Sequence, residues 1–254
     1  MTNTRESSVY DYLIGTKTRY GAGFLVLLDP DRSPFDTVAD QAKRYGDAGV
    51  DAILVGTSLL MGNGFDEYVG AVRDAVDIPV VIFPGNSQQV TDRADAILFL
   101  SLLSGRNPEF IVGEQVRSAP LIRSLGLESI STAYLLIDSG RVTSVEFMSG
   151  TKPIPSDKPE IALSHAIVAE MFGMKFVYLE GGSGGERTVP DDMIGTVADG
   201  VSLPVIVGGG IRSPETVTAK VRAGASFVVV GNHLENDSGT ELKRFVEAAH
   251  SAVR

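Results

Sequence analysis

Two stretches of this chain, YLEGGSGGER (Tyr178–Arg187) and IVGGGIRSPE (Ile206–Glu215), share one grammar. Each opens as an apolar run, passes through a glycine cluster and leads into a polar segment. An apolar, β-branched run reads as a buried parallel strand, and the glycines after it as a βα loop that feeds a helix N-terminus. Glycine lets the backbone approach an anion closely, and the first turn of a helix adds partial positive charge. VVVGNHLEND follows one unit later with Gly231 and Asn232, so three glycine-bearing strand ends fall in the last third of the chain.

Working outward from that pair, the same alternation runs back to Gly23. Eight strands are predicted, at 23–30, 51–57, 79–85, 95–103, 129–138, 175–182, 203–210 and 225–232. Helices are predicted at 35–48, 64–76, 158–172, 191–198, 214–223 and 240–253. Eight βα repeats in 254 residues match the length and order of a (β/α)8 TIM barrel, whose late loops form a phosphate site. The segment 88–95 leaves no room for a regular helix, so the unit around strands three and four is degenerate. Pro153 and Pro155 argue against a helix in 139–157, which reads as a long loop and a candidate lid. No linker divides the chain, so residues 1–254 are expected to form one barrel domain, with 1–22 as an N-terminal extension packing on it.

Composition removes whole classes of function. A net charge of −10 argues against nonspecific nucleic-acid binding and against a polybasic membrane anchor, so an anionic substrate has to be caught locally. Absence of cysteine excludes disulfides, thiolate nucleophiles and cysteine-ligated metals. No apolar stretch approaches the roughly 20 residues of a transmembrane helix. The N-terminus lacks a signal-peptide core, and the expected compartment is the cytoplasm.

In a barrel, chemistry sits at the C-terminal ends of strands. Strand one ends in Asp29-Pro30-Asp31-Arg32 and strand two in Gly56-Thr57-Ser58. A carboxylate, a hydroxyl and substrate oxygens would suit Mg2+, although Asp before Pro also forms turns and Ser or Thr also caps helices. Tyr178 and Glu180 alternate onto one face of strand six, where a carboxylate and a phenol beside a phosphate cradle can orient or deprotonate a hydroxyl. The competing reading makes Tyr178 core and Glu180 a partner of Lys152 or Arg187. Lys152 is a candidate for a mobile anion contact, Arg212 for assisting the phosphate and His233 for reaching the site, whereas His165 and His250 read as structural.

The strings LLDPD, VGTS, YLEGGSGG, VGGGIRSPE and VVVGN, spanning Asp29 to Asn232, resemble the geranylgeranylglyceryl phosphate synthase family, which includes the bacterial heptaprenylglyceryl phosphate synthases. FPGN at 83–86 and TKPIP at 151–155 also look like that family. The resemblance implies Mg2+-dependent ether-bond formation between the 3-hydroxyl of sn-glycerol 1-phosphate and a prenyl diphosphate, in archaeal-type lipid synthesis. It places Mg2+ at Asp29 and Ser58, with Thr57 the adjacent alternative. It assigns glycerol 1-phosphate to Tyr178, Leu179, Glu180, Gly181, Gly182, Ser183, Gly184, Gly209, Gly210, Gly231 and Asn232, with Glu180 and Tyr178 catalytic. The prenyl tail is expected along Phe83, Phe99 and Leu103. A homo-oligomer, at least a dimer, is implied as well, with transient membrane contact for product release. Departures are small: Arg32 stands where Lys is more frequent, and Gly182 and Gly185 where Ala is frequent. The alternatives are a sugar-phosphate isomerase or lyase, which needs a second acid–base residue opposite Glu180, and a non-catalytic phosphate-binding barrel.

Overall fold

Eight parallel strands pair in sequence order and close into a barrel: β1 (Gly23–Leu28), β2 (Ala52–Val55), β3 (Val80–Ile82), β4 (Ala96–Leu102), β5 (Glu128–Leu136), β6 (Phe176–Glu180), β7 (Val205–Gly208) and β8 (Phe227–Val230). Closure is made by β8 against β1, with Gly23 opposite Phe227 and Val26 opposite Val230. The structure is a computed structural model and describes residues 8–234 and 240–252. Each strand falls within a run expected from the sequence, except that β5 starts one residue earlier, at Glu128, and the TIM-barrel reading holds.

Parallel strands covered on both faces explain why the runs are almost unbroken apolar sequence. Alternate residues split into two cores. Leu25, Leu54, Val81, Leu98, Phe176, Tyr178, Ile206 and Phe227 fill the barrel, while Phe24, Val26, Ile53, Val55, Val177 and Leu179 face the helices. The helical layer comprises α1 (Val9–Tyr20), α2 (Phe35–Asp47), α3 (Phe65–Asp74), α4 (Glu114–Leu125), α5 (Ser144–Ser149), α6 (Pro159–Met171), α7 (Asp191–Gly200), α8 (Pro214–Ala223) and α9 (Thr240–Ser251). No helix separates β3 from β4, which is the degenerate unit expected there.

Three elements differ from the sequence reading. The polar N-terminal segment contains α1, capped by the Ser8 side chain, which accepts the Asp11 N–H. Val9 and Leu13 plug the lower end of the barrel interior, and the Glu128 carboxylate receives the Val9 and Tyr10 amides at 2.6 and 3.0 Å. An anion at a helix N-terminus satisfies unpaired donors and the dipole together. Helix α4, with the π-helical turn Glu109–Gly113 leading into it, escaped notice because Pro108, Gly113 and the internal Pro120 disguise the periodicity. The segment 139–157 holds the short α5, capped by Thr143 and ended by Gly150 at φ 62°; its prolines lie beyond the helix rather than within it. Among the described residues no helix is long and apolar enough to cross a membrane.

Phe176 is fully buried at the lower layer, edge-on to Phe227 with centroids 5.7 Å apart and tilted against Tyr10 of α1 at 5.4 Å. Phe176→Ala is expected to lower unfolding stability by about 3–5 kcal/mol in denaturant titration. Phe172→Ala, at a side chain 68% exposed, is expected to change it by no more than about 0.5 kcal/mol.

Candidate active site

The C-terminal ends of the strands surround a cavity of about 380 Å³. Glu180 ends β6 on the inward face, directly after Tyr178 by the alternation of the strand. Its carboxylate is buried, with Oε1 accepting the Gly182 N–H at 2.5 Å. Burial pushes the Glu180 carboxyl up to about 7, and the Gly182 amide and the Tyr178 hydroxyl restrain that rise. Burial and the nearby Glu180 charge push the Tyr178 and Tyr134 hydroxyls well up, so both stay protonated donors. Phe83 stacks on Tyr178 at 5.2 Å, and Tyr134 tilts against both rings at 5.9 and 5.4 Å, forming an aromatic wall beside the carboxylate.

The loop after β7 lies against the loop after β6. At Gly209, φ is 87°, and a β-carbon would stand 2.4 Å from Glu180 Oε1 and 2.6 Å from the Gly182 nitrogen. Only glycine permits that approach, so the two glycine strings meet backbone to backbone around Glu180. Gly182, Ser183, Gly184, Gly209, Gly210 and Gly231 all line the cavity with Tyr178 and Glu180. Arg212 joins them and its guanidinium donates to the Gly185 carbonyl at 3.4 Å, bridging the two loops. His233 also lines the cavity and lies 3.3 Å from Glu241.

Across the mouth stand Asp29, Thr57 and Ser58. Asp29 Oδ1 accepts the Asp31 N–H at 3.0 Å. Burial raises the Asp29 carboxyl, while the Asp31 amide, the Thr57 hydroxyl and the Arg32 charge act against the rise. Asp31 is turned to the Met61 and Gly62 amides instead. Among the described residues no group of three or more His, Asp or Glu side chains gathers as a metal cage. One partly desolvated carboxylate with adjacent hydroxyls is a hard-oxygen donor set. It fits Mg2+, which keeps several waters and takes further ligands from substrate oxygens.

Some expected contacts are corrected. Leu179 points into the core between sheet and helices, and the Gly181 amide extends the ladder to the Gly208 carbonyl at 2.9 Å, so neither lines the cavity. Asn232 opens the 3-10 turn Asn232–Leu234, and its side chain lies outside the described residues. Arg187 turns outward to Asp138 at 3.4 Å, and Lys152 is exposed away from the cavity wall. His165 bonds its own helix, while His250 binds Asp51 at 2.8 Å. Phe83 and Phe99 line the cavity, but Leu102 does so in place of Leu103, which packs on the outer core. In a strand a slip of one residue reverses the face.

Tyr134 escaped the sequence reading, although its register opposite Tyr178 gives it away once the strands are paired. The far wall was also missed, because it comes from the unrecognised α4. With no helix between β3 and β4, the cavity continues past Phe99 and Ile97 to Phe110, Gln115 and Ser118.

The profile of the PcrB family matches residues 16–249. The geranylgeranylglyceryl phosphate synthase of Chitinophaga pinensis is 45% identical over 247 residues, covering 97% of this chain and 98% of that relative. That of Korarchaeum cryptofilum is 42% identical, covering 89% and 93%. Among solved structures, the (S)-3-O-geranylgeranylglyceryl phosphate synthase of Thermoplasma acidophilum in complex with its substrate sn-glycerol-1-phosphate superposes with a TM-score of 0.90. It is 36% identical, covering 96% of this chain and 99% of that one. With a family match across most of its length and relatives above 40% identity, the chain belongs to the PcrB family.

Proposed function

We propose that the chain is a Mg2+-dependent prenyltransferase. It joins the 3-hydroxyl of sn-glycerol 1-phosphate to C1 of a long-chain prenyl diphosphate, geranylgeranyl diphosphate being the expected donor. The observation that carries this reading is the position of Glu180: a buried carboxylate at the junction of a glycine cradle and an apolar groove within one cavity. The cradle suits a small phosphate ester, and the groove from Phe83 and Phe99 to Ser118 suits a prenyl tail.

In this reading Tyr178, Glu180 and the loops at Gly182–Gly184, Gly209–Gly210 and Gly231 hold the glycerol phosphate, with Asn232 included from the family pattern. The glycerol O3–H bond breaks as its proton passes to Glu180, the new C1–O3 bond forms, and the C1–O bond to diphosphate breaks. The products are the prenyl ether and diphosphate. Asp29 and Ser58 hold Mg2+, which when bound neutralises charge on the departing diphosphate. The faces of Tyr134, Tyr178 and Phe83 offer negative π-density to positive charge developing on the allylic carbon.

The same reading includes self-association, supported by Ile161, Val168, Met171 and Phe172, exposed along one side of α6 and its end. It also includes work in the cytoplasm with passing contact to a membrane as product leaves, supported by exposed Val142 and Phe147 near the mouth.

Purified protein incubated with Mg2+, glycerol 1-phosphate and labelled geranylgeranyl diphosphate is expected to yield a lipid-extractable phosphate ester. No product from any donor between about C15 and C35 would overturn the reading. Glu180→Gln keeps the shape of the side chain and removes the base, so kcat is expected to fall by about 10²–10⁴-fold with little change in melting temperature.

The base must be ionised to act, so kcat/KM is expected to rise about tenfold per pH unit below about 7 and to level off above it. A flat profile between about pH 5.5 and 8 would remove Glu180 from the proton-transfer step.

A further inference from the structure

The buried polar groups around the mouth include one that no step above uses. Gln89 has no solvent exposure and lies in the connection that replaces a helix between β3 and β4. Its side-chain amide makes two hydrogen bonds to a single residue of the neighbouring loop: Nε2 donates to the Thr57 carbonyl at 2.8 Å, and Oε1 accepts the Thr57 N–H at 3.1 Å.

The ends of β2 and β3 show why this residue is needed. The ladder between them runs as far as the Phe83 N–H, which donates to Val55 at 2.8 Å. Continued as a parallel ladder, it would give Thr57 its two bonds from the Phe83 carbonyl and the Gly85 amide. Instead the backbones are pressed together, so that a β-carbon on Gly56 would stand 1.9 Å from the Phe83 oxygen and one on Gly85 2.2 Å from the Thr57 oxygen. Both ladder bonds are supplied by the Gln89 side chain. Its own loop is anchored in turn by the Ser87 amide, which donates to Glu114 at 2.5 Å, and by an Asn86 turn that accepts the Gln88 N–H at 2.9 Å.

Thr57 is the link to chemistry, because its hydroxyl helps hold down the Asp29 carboxyl and its backbone carries Ser58. We propose that Gln89 is a positioning residue: by clamping the Thr57 peptide it fixes Asp29, Thr57 and Ser58 in the arrangement that receives a divalent cation together with a diphosphate. This rests on the reading of the site given above. The glycine cradle on β6 to β8 has no hydrogen bond to Gln89 among the described residues and is independent of it.

The test compares wild type and Gln89→Met for binding of Mn2+ with inorganic diphosphate, followed by electron paramagnetic resonance of the free ion. Glycerol 1-phosphate affinity is measured by calorimetry alongside. Gln89→Met keeps the volume and removes both bonds. It is expected to weaken Mn2+–diphosphate binding on the order of 10-fold to 100-fold while glycerol phosphate affinity stays within about twofold.

Equal cation binding in Gln89→Met and wild type would overturn the positioning role. So would loss of both affinities in step with melting temperature. Wild type that binds no Mn2+–diphosphate would instead overturn the reading of the site itself, and this inference with it.

Discussion

The closed ladder is the constraint on which everything else depends. In a ring of eight parallel strands each backbone is paired on both sides, so all C-terminal ends emerge at one rim. Asp29, just past the end of β1, and Glu180, at the end of β6, remote in sequence, therefore share a cavity without either loop having to reach far. The ring also fixes parity. Tyr178 and Glu180 face inward because Val177 and Leu179 face the helices, and the register between β5 and β6 then sets Tyr134 beside Tyr178.

Upon that symmetric frame the sequence imposes an asymmetry. Where a helix is missing between β3 and β4, the sheet is covered by a loop and by the start of α4, and the cavity runs outward along an apolar path. On the opposite side, glycine loops after β6, β7 and β8 leave backbone amides at the surface of the cavity. One half of the rim is thus suited to hydrocarbon and the other to phosphate, with the buried carboxylate between them.

Much of this was legible beforehand for a physical reason. A strand buried on both faces leaves an unmistakable run of Val, Ile, Leu and Phe, and a close backbone approach leaves glycine, so the eight strands and most of the glycines lining the cavity were readable, while Leu179 and Gly181 were not separable from them. Helix α4 was not, because Pro108, Gly113 and Pro120 mimic loop sequence while tertiary packing of Ile122 holds the helix. The groove beyond Phe99 was lost with it. The exchange of Leu102 for Leu103 shows the limit of parity counted from sequence when the strand end is uncertain by one residue. Nor could sequence show that Glu180 is desolvated, since its environment is assembled from β6, β7 and the aromatic wall together.

The plug formed by α1 has a consequence of its own. Val9 and Leu13, with Phe176 and Phe227 above them, fill the lower layer of the barrel and leave the interior closed at that end. Among the described residues, the cavity that holds Asp29 and Glu180 lies at the other rim, and none of these four side chains lines it. Selection can therefore retune the lower layer for temperature or solvent, through α1 and its Glu128 anchor, without passing through the chemistry. Adaptability in this chain is spatially partitioned, with a floor that carries endurance and a mouth that carries specificity.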